Sequence, residues 1–145
     1  MANAERRAHV VWEEDLPSGN GRVTAGSSEV LEEAPVTWAS RVEHPDGKTS
    51  PEELIAAAHA SCYSMAFSNV LAQQDAPPVR LEVEAVATFD ADQVKITTVD
   101  LSVRGEVPGM SDEEFGAAAH EADQACPVSD ALRNNVEIRL NTSLG

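Results

Sequence analysis

The tetrad Ser50-Pro51-Glu52-Glu53 constrains this chain more firmly than any other segment. A Ser at the N-cap, a Pro at the first helical position and a Glu at the third make a capping box, the signature of a helix start. The run that follows is rich in Ala, Leu and Met and stops only at Asp75 and the Pro77-Pro78 pair, where the helix must end. A long helix from Pro51 is therefore predicted, apolar on most of its circumference. Such a helix is expected to be buried on several sides, with a sheet against one and a partner helix against another. Cys62 falls near its middle, on a row with Ile55, Ala58, His59, Met65 and Ala66, and that row is expected to face the core.

The flanking segments read as strands and shorter helices. Ala8 to Glu13, with Val10, Val11 and Trp12 as its apolar centre, predicts a strand before the turn residues of Pro17 to Gly21, and Arg22 to Leu31 predicts one or two more. Val79 to Val86 alternates as a half-buried strand. Val94 to Val107 changes apolar phase once, which predicts a bulge near Thr98. Ser111 opens a second capped helix through Gln124, Cys126-Pro127 restarts a helix with Cys126 at or next to its N-cap, and Val136, Ile138 and Leu140 alternate as a last strand. The order of strands, long helix, hairpin, two helices and strand is that of an α+β fold.

The chain has 145 residues, enough for one domain over 1–145, and no repeat or linker divides it. Ten Lys and Arg against 25 Asp and Glu give a net charge of −15, so binding to nucleic acid or to an anionic membrane surface is not expected. The stretch Met1 to Arg7 has arginines but no apolar run behind them, and no stretch is expected to span a bilayer, so the chain reads as cytoplasmic. In that compartment Cys62 and Cys126 are not expected to form a permanent structural disulfide.

Several roles remain open to the two cysteines on these grounds alone. Both could be packing residues, since free Cys is commonly buried. His59, Cys62, His120 and Cys126 could hold zinc, although the usual Cys pair spacing is missing. Cys62 could be a hydrolase nucleophile with His59, His44 or His120, although no glycine run suggests an oxyanion hole. A thiol at a helix start, as at Cys126, gains from the unpaired N–H groups there, and paired with a thiol on a second helix it could form a reversible disulfide.

The stretch SRVEHPDGKTSPEELIAAAHASCYSMAFS resembles the signature of the osmotically inducible protein C and organic hydroperoxide resistance family (OsmC/Ohr), in which a T-[NS]-P-E-[EQ]-L motif precedes an A-A-H-A-x-C-F-S-M-A helix. CPVSDAL and the V-x-I-x-L strand after it resemble the family's second-cysteine segment, and with WEEDLPSGNGRVTAGSSEVL the likeness extends over almost the whole chain. The resemblance implies an OsmC-like fold in an intertwined homodimer. It also implies a stress-defence peroxidase that reduces organic hydroperoxides, and hydrogen peroxide less well, without haem, metal or other cofactor. By position Cys62 resembles the peroxidatic cysteine, Cys126 the resolving cysteine and Glu52 the family glutamate. Arg41 resembles the arginine of the OsmC branch, whereas Arg22 in GNGR, 40 residues ahead of Cys62, resembles that of the Ohr branch. The wording around Arg41 and the helix favours the OsmC branch and Arg41. Tyr63 stands where the family usually has Phe. The implied reductant is a dithiol, on a lipoyl-bearing or thioredoxin-like protein. A stress or ligand-binding protein that keeps the fold without turnover is the alternative.

Glu52 precedes Cys62 by ten residues on one helix, about 15 Å along the axis. That is too far for Glu52 to serve the thiol of its own chain. An antiparallel two-fold partner helix would bring Glu52 of one subunit beside Cys62 of the other, so a homodimer with shared sites is expected.

Overall fold

A computed structural model describes residues 3–145, which leaves the first two residues of the Met1 to Arg7 stretch outside the description. The chain divides into two compact units, one ending at Pro51 and the other covering Glu52–Gly145.

The first unit is a three-stranded antiparallel sheet in the order β1 (His9–Glu13), β2 (Asn20–Thr24), β3 (Ala34–Val36), followed by a short helix α1 (Trp38–Val42). Trp12 pairs with Gly21 across the first hairpin. A Cβ at Gly21 would stand 2.8 Å from the indole, so only glycine lets the ring lie on the neighbouring strand. Val10 and Val11, read as the centre of a strand, do form one, but they are exposed. Helix α1 is not foreseen from sequence. Its Thr37 and Ser40 cap each other's backbone N–H groups, and Ser in place of Glu or Gln hides the usual signature.

The second unit holds α2 (Pro51–Gln73) from its second residue on, β4 (Arg80–Asp90), β5 (Lys95–Glu106), α3 (Asp112–Ala125), α4 (Pro127–Leu132) and β6 (Glu137–Leu144). Strands β4 and β5 form an antiparallel hairpin, and β6 pairs with β5 in parallel after the crossover through α3 and α4. The pairing runs Thr88 with Thr98 and then Phe89 with Ile96, so Thr97 is the extra residue of the bulge, beside the expected position. Val94 lies before β5 rather than in it, in the hairpin turn with φ +53.

One face of the sheet, with Val99, Leu101 and Val103 at its centre, joins Tyr63, Phe67, Val70 and Leu71 of α2 and Phe115, Ala118, Ala119 and Ala122 of α3 in a single core. Phe67 meets Phe115 at 5.0 Å between ring centroids, and the Tyr63 hydroxyl donates to the Ala119 carbonyl at 2.8 Å. The other face carries Glu82, Glu84, Ser102 and Arg104, the inside-outside alternation of a one-sided sheet.

Two expectations about α2 are corrected. It is buried along one stripe only, through His59, Tyr63, Phe67, Val70 and Leu71, and Cys62 sits at the margin of that stripe. Ala58 and Met65, assigned to the core row, are exposed, Met65 at 71%. The helix is also long and apolar enough, by length and composition, to cross a bilayer, contrary to the reading that no stretch is. Its alanines raise its apolarity on every side, while its bulky stripe is built into the core of this unit.

Candidate active site

Cys126 ends α3 and begins α4. Pro127 causes the break, because it has no N–H to donate and forces the residue before it out of the helical region. Cys126 accordingly takes φ −80 and ψ 115. Its sulfur becomes the N-cap acceptor of α4, receiving the Ser129 N–H at 3.5 Å. The side chain is completely buried.

Facing it from the middle of α2 is Cys62. The two sulfurs are 3.4 Å apart, both residues are free thiols, and Cys62 keeps partial access to solvent. Burial pushes the Cys62 thiol above its ordinary pKa, and the neighbouring Cys126 pushes it the same way. The backbone N–H of Val128 pulls it back by hydrogen bonding to the sulfur. A thiolate at Cys62 therefore needs a cation beyond this set of neighbours.

Behind the thiols His59 Nε2 and Ser129 Oγ are 2.7 Å apart, with both residues fully buried. Burial lowers the His59 pKa, and the Asp123 carboxylate opposes this, which keeps the ring largely neutral near pH 7. Asp123 in turn lies 3.7 Å from the Arg133 guanidinium, which also donates to the Asp123 carbonyl. Ser129, Val128 and Arg133 were not singled out from sequence. For Ser129 a signal existed: it stands three residues after an N-cap, where a polar residue commonly supports the helix start.

Of the residues singled out, the structure brings together Cys62 and Cys126. Glu52 is buried in the first turn of α2, about 15 Å along the helix from Cys62. Arg41 is half-buried on α1 in the first unit, its guanidinium 5.9 Å from the centre of the Trp38 ring, and Arg22 is exposed on β2. Among the described residues the alternative hydrolase pairings are not assembled: His59 is engaged with Ser129, while His44 and His120 are exposed. Among the described residues no group of three or more His, Cys, Asp or Glu side chains is arranged to hold a metal ion, so the zinc alternative is not assembled. What remains chemically is a pair of thiols in contact, one reachable from solvent and one sealed. Thiols at this separation are placed for thiol–disulfide chemistry.

The profile of the OsmC-like protein family matches residues 44–141, a span that holds Glu52, Cys62 and Cys126 and begins after both arginines. Peroxiredoxin OsmC of Escherichia coli K12 is 32% identical over 135 residues, covering 92% of this chain and 93% of that protein. An organic hydroperoxide resistance protein-like sequence from Staphylococcus aureus USA300 is 34% identical over 105 residues, covering 68% of this chain and 73% of the other. Among solved structures, an organic hydroperoxide resistance protein from Elizabethkingia anophelis superposes with a TM-score of 0.74 at 24% identity, over the full length of both chains.

Proposed function

The chain belongs to the OsmC-like protein family, and on that premise we propose that it is a thiol-dependent peroxidase that reduces organic hydroperoxides in stress defence. The observation that carries this reading is the 3.4 Å contact between the sulfurs of Cys62 and Cys126. The names of the relatives from Escherichia coli and Staphylococcus aureus support a peroxide-related stress function.

The Cys62 thiolate attacks one oxygen of the hydroperoxide; the O–O bond breaks, Cys62 becomes a sulfenic acid, and the other oxygen leaves as the alcohol once protonated. Burial works against this thiolate, so a guanidinium is needed to favour it and to stabilise charge on the departing oxygen. Arg41 is assigned that role, and Glu52 the role of holding the guanidinium bidentately. Cys126 then condenses with the sulfenic acid to a disulfide, which an external dithiol on a lipoyl-bearing or thioredoxin-like protein reduces. Apolar walls around a single thiolate favour organic over inorganic peroxide.

The working form is a homodimer with shared sites. Glu52 is too far along α2 to serve the thiol of its own chain, and the side of α2 bearing Ala57, Ala58, Ser61 and Met65 is exposed in the single chain. An apolar helix face of this kind is typical of a subunit interface.

Consumption of cumene hydroperoxide and of hydrogen peroxide, with a small dithiol as reductant, tests the assignment in the parent protein, Cys62→Ser and Cys126→Ser. Turnover should vanish in Cys62→Ser and become impaired or dependent on external thiol in Cys126→Ser, with the organic peroxide preferred. A parent protein that turns over neither peroxide while its thiols stay reduced and accessible would overturn the reading.

A further inference from the structure

The buried residues of α2 are Glu52 in its first turn, the aromatic and aliphatic side chains of Tyr63, Phe67, Val70 and Leu71, and between them His59, whose imidazole is fully sealed from solvent. Burying a polar ring costs free energy that a Leu or Met at the same place would not. Its Nε2 meets the Ser129 hydroxyl at 2.7 Å. Ser129 is also the residue whose backbone N–H reaches the Cys126 sulfur, and His59 precedes Cys62 by one helical turn. The contacts therefore close a ring: Cys62 to His59 along α2, His59 to Ser129, Ser129 to Cys126, and Cys126 back to Cys62 across 3.4 Å. The far end of α4 is tied separately, where Arg133 reaches the carbonyl and carboxylate of Asp123 on α3. The His59 contact is thus a direct tie between α2 and the first turn of α4, the turn that carries the second thiol.

We propose that His59 is a positioning residue for disulfide formation: through Ser129 it pins the start of α4 to α2 and holds Cys126 in reach of Cys62. The inference rests on the proposed peroxidase chemistry for its purpose, but the juxtaposition it describes can be measured without peroxide. In turnover, the Cys126 sulfur attacks the Cys62 sulfenic sulfur; an S–S bond forms, the S–O bond breaks, and the hydroxyl leaves as water with the thiol proton. With glutathione disulfide as oxidant, the two thiols give the same bond and two molecules of glutathione. In either reaction, a pinned Cys126 raises the effective concentration of one sulfur at the other.

The test equilibrates the full-length protein with glutathione redox buffers and reads the Cys62–Cys126 disulfide fraction by alkylation and mass. His59→Phe and Ser129→Ala should each lower the equilibrium constant for the disulfide by about tenfold, the scale of one lost buried hydrogen bond. His59→Gln, whose amide can reach the Ser129 hydroxyl, should restore most of it. Leu71→Ala, a core truncation on the same helix far from the thiols, should lower the melting temperature and leave the equilibrium unchanged. Values in His59→Phe and Ser129→Ala equal to the parent's would overturn the proposal, as would an equal drop in Leu71→Ala. If His59→Phe does not fold, Ser129→Ala and His59→Gln decide the matter. A parent that forms the disulfide readily yet consumes no hydroperoxide would reject the peroxidase and leave the positioning role standing.

Discussion

Burial holds the His59 imidazole below its ordinary pKa of 6.5, against the pull of Asp123. Because the unfolded chain takes up a proton at His59 before the folded one does, stability from this group is complete above pH 6.5 and falls as the pH drops from there toward the lowered folded value. The limiting slope for one proton is about 1.4 kcal/mol per pH unit. Urea unfolding of the parent and of His59→Gln between pH 7.5 and 5.5, at one protein concentration, should show the parent losing its advantage as the pH falls. A stability difference that stays constant across that range would contradict it. That Cys62 and Cys126 would meet was legible from the resemblance, and the N-cap position of Cys126 from Pro127. The tie from His59 to Ser129 was not, since it joins residues 70 apart in sequence and no local pattern reports which distant hydroxyl a buried ring will meet.

Among the elements, the crossover of α3 onto the sheet depends on Gly105 of β5. A Cβ there would stand 2.5 Å from the Phe115 ring and 3.1 Å from Leu81, so the aromatic ring occupies the space a side chain would need. Gly105→Ala should destabilise the protein by about 1–3 kcal/mol, the usual cost of overpacking a rigid core, and urea titration would read it; a neutral result would mean that Phe115 can swing aside. Strands β1, β2, β4, β5 and β6 and helices α2, α3 and α4 were readable because capping residues, prolines and alternation mark them locally, whereas β3 lies at Ala34–Val36, beyond the Arg22 to Leu31 segment expected to hold a further strand, because three residues show no alternation. Helix α1 was not, because five residues show no period and its cap pairs Thr37 with Ser40. The exposed side of α2 was also misread. An apolar helix signals that it will be covered, but its sequence does not distinguish cover from its own chain from cover by another.

For the whole molecule, the proposed shared site makes an asymmetric experiment possible. Cys62→Ser and Glu52→Ala chains, each inactive alone, should regain part of the parent's hydroperoxide turnover when mixed and allowed to exchange, because one of the two sites in the heterodimer then carries both native residues. No recovery after mass spectrometry has verified mixed dimers would exclude sites built from two chains. The sulfur contact described above has a further consequence in chain statistics. A bond between Cys62 and Cys126 ties together residues 64 apart, a loop whose closure removes about 4 kcal/mol of disorder from the unfolded ensemble on the loop-entropy account. Each catalytic cycle would thus alternate the molecule between a laced and an unlaced chain. Its reductant would have to work against the fold as well as against the bond, delivering two electrons to a disulfide whose reduction potential is lower than that of the same disulfide in a chain already unravelled.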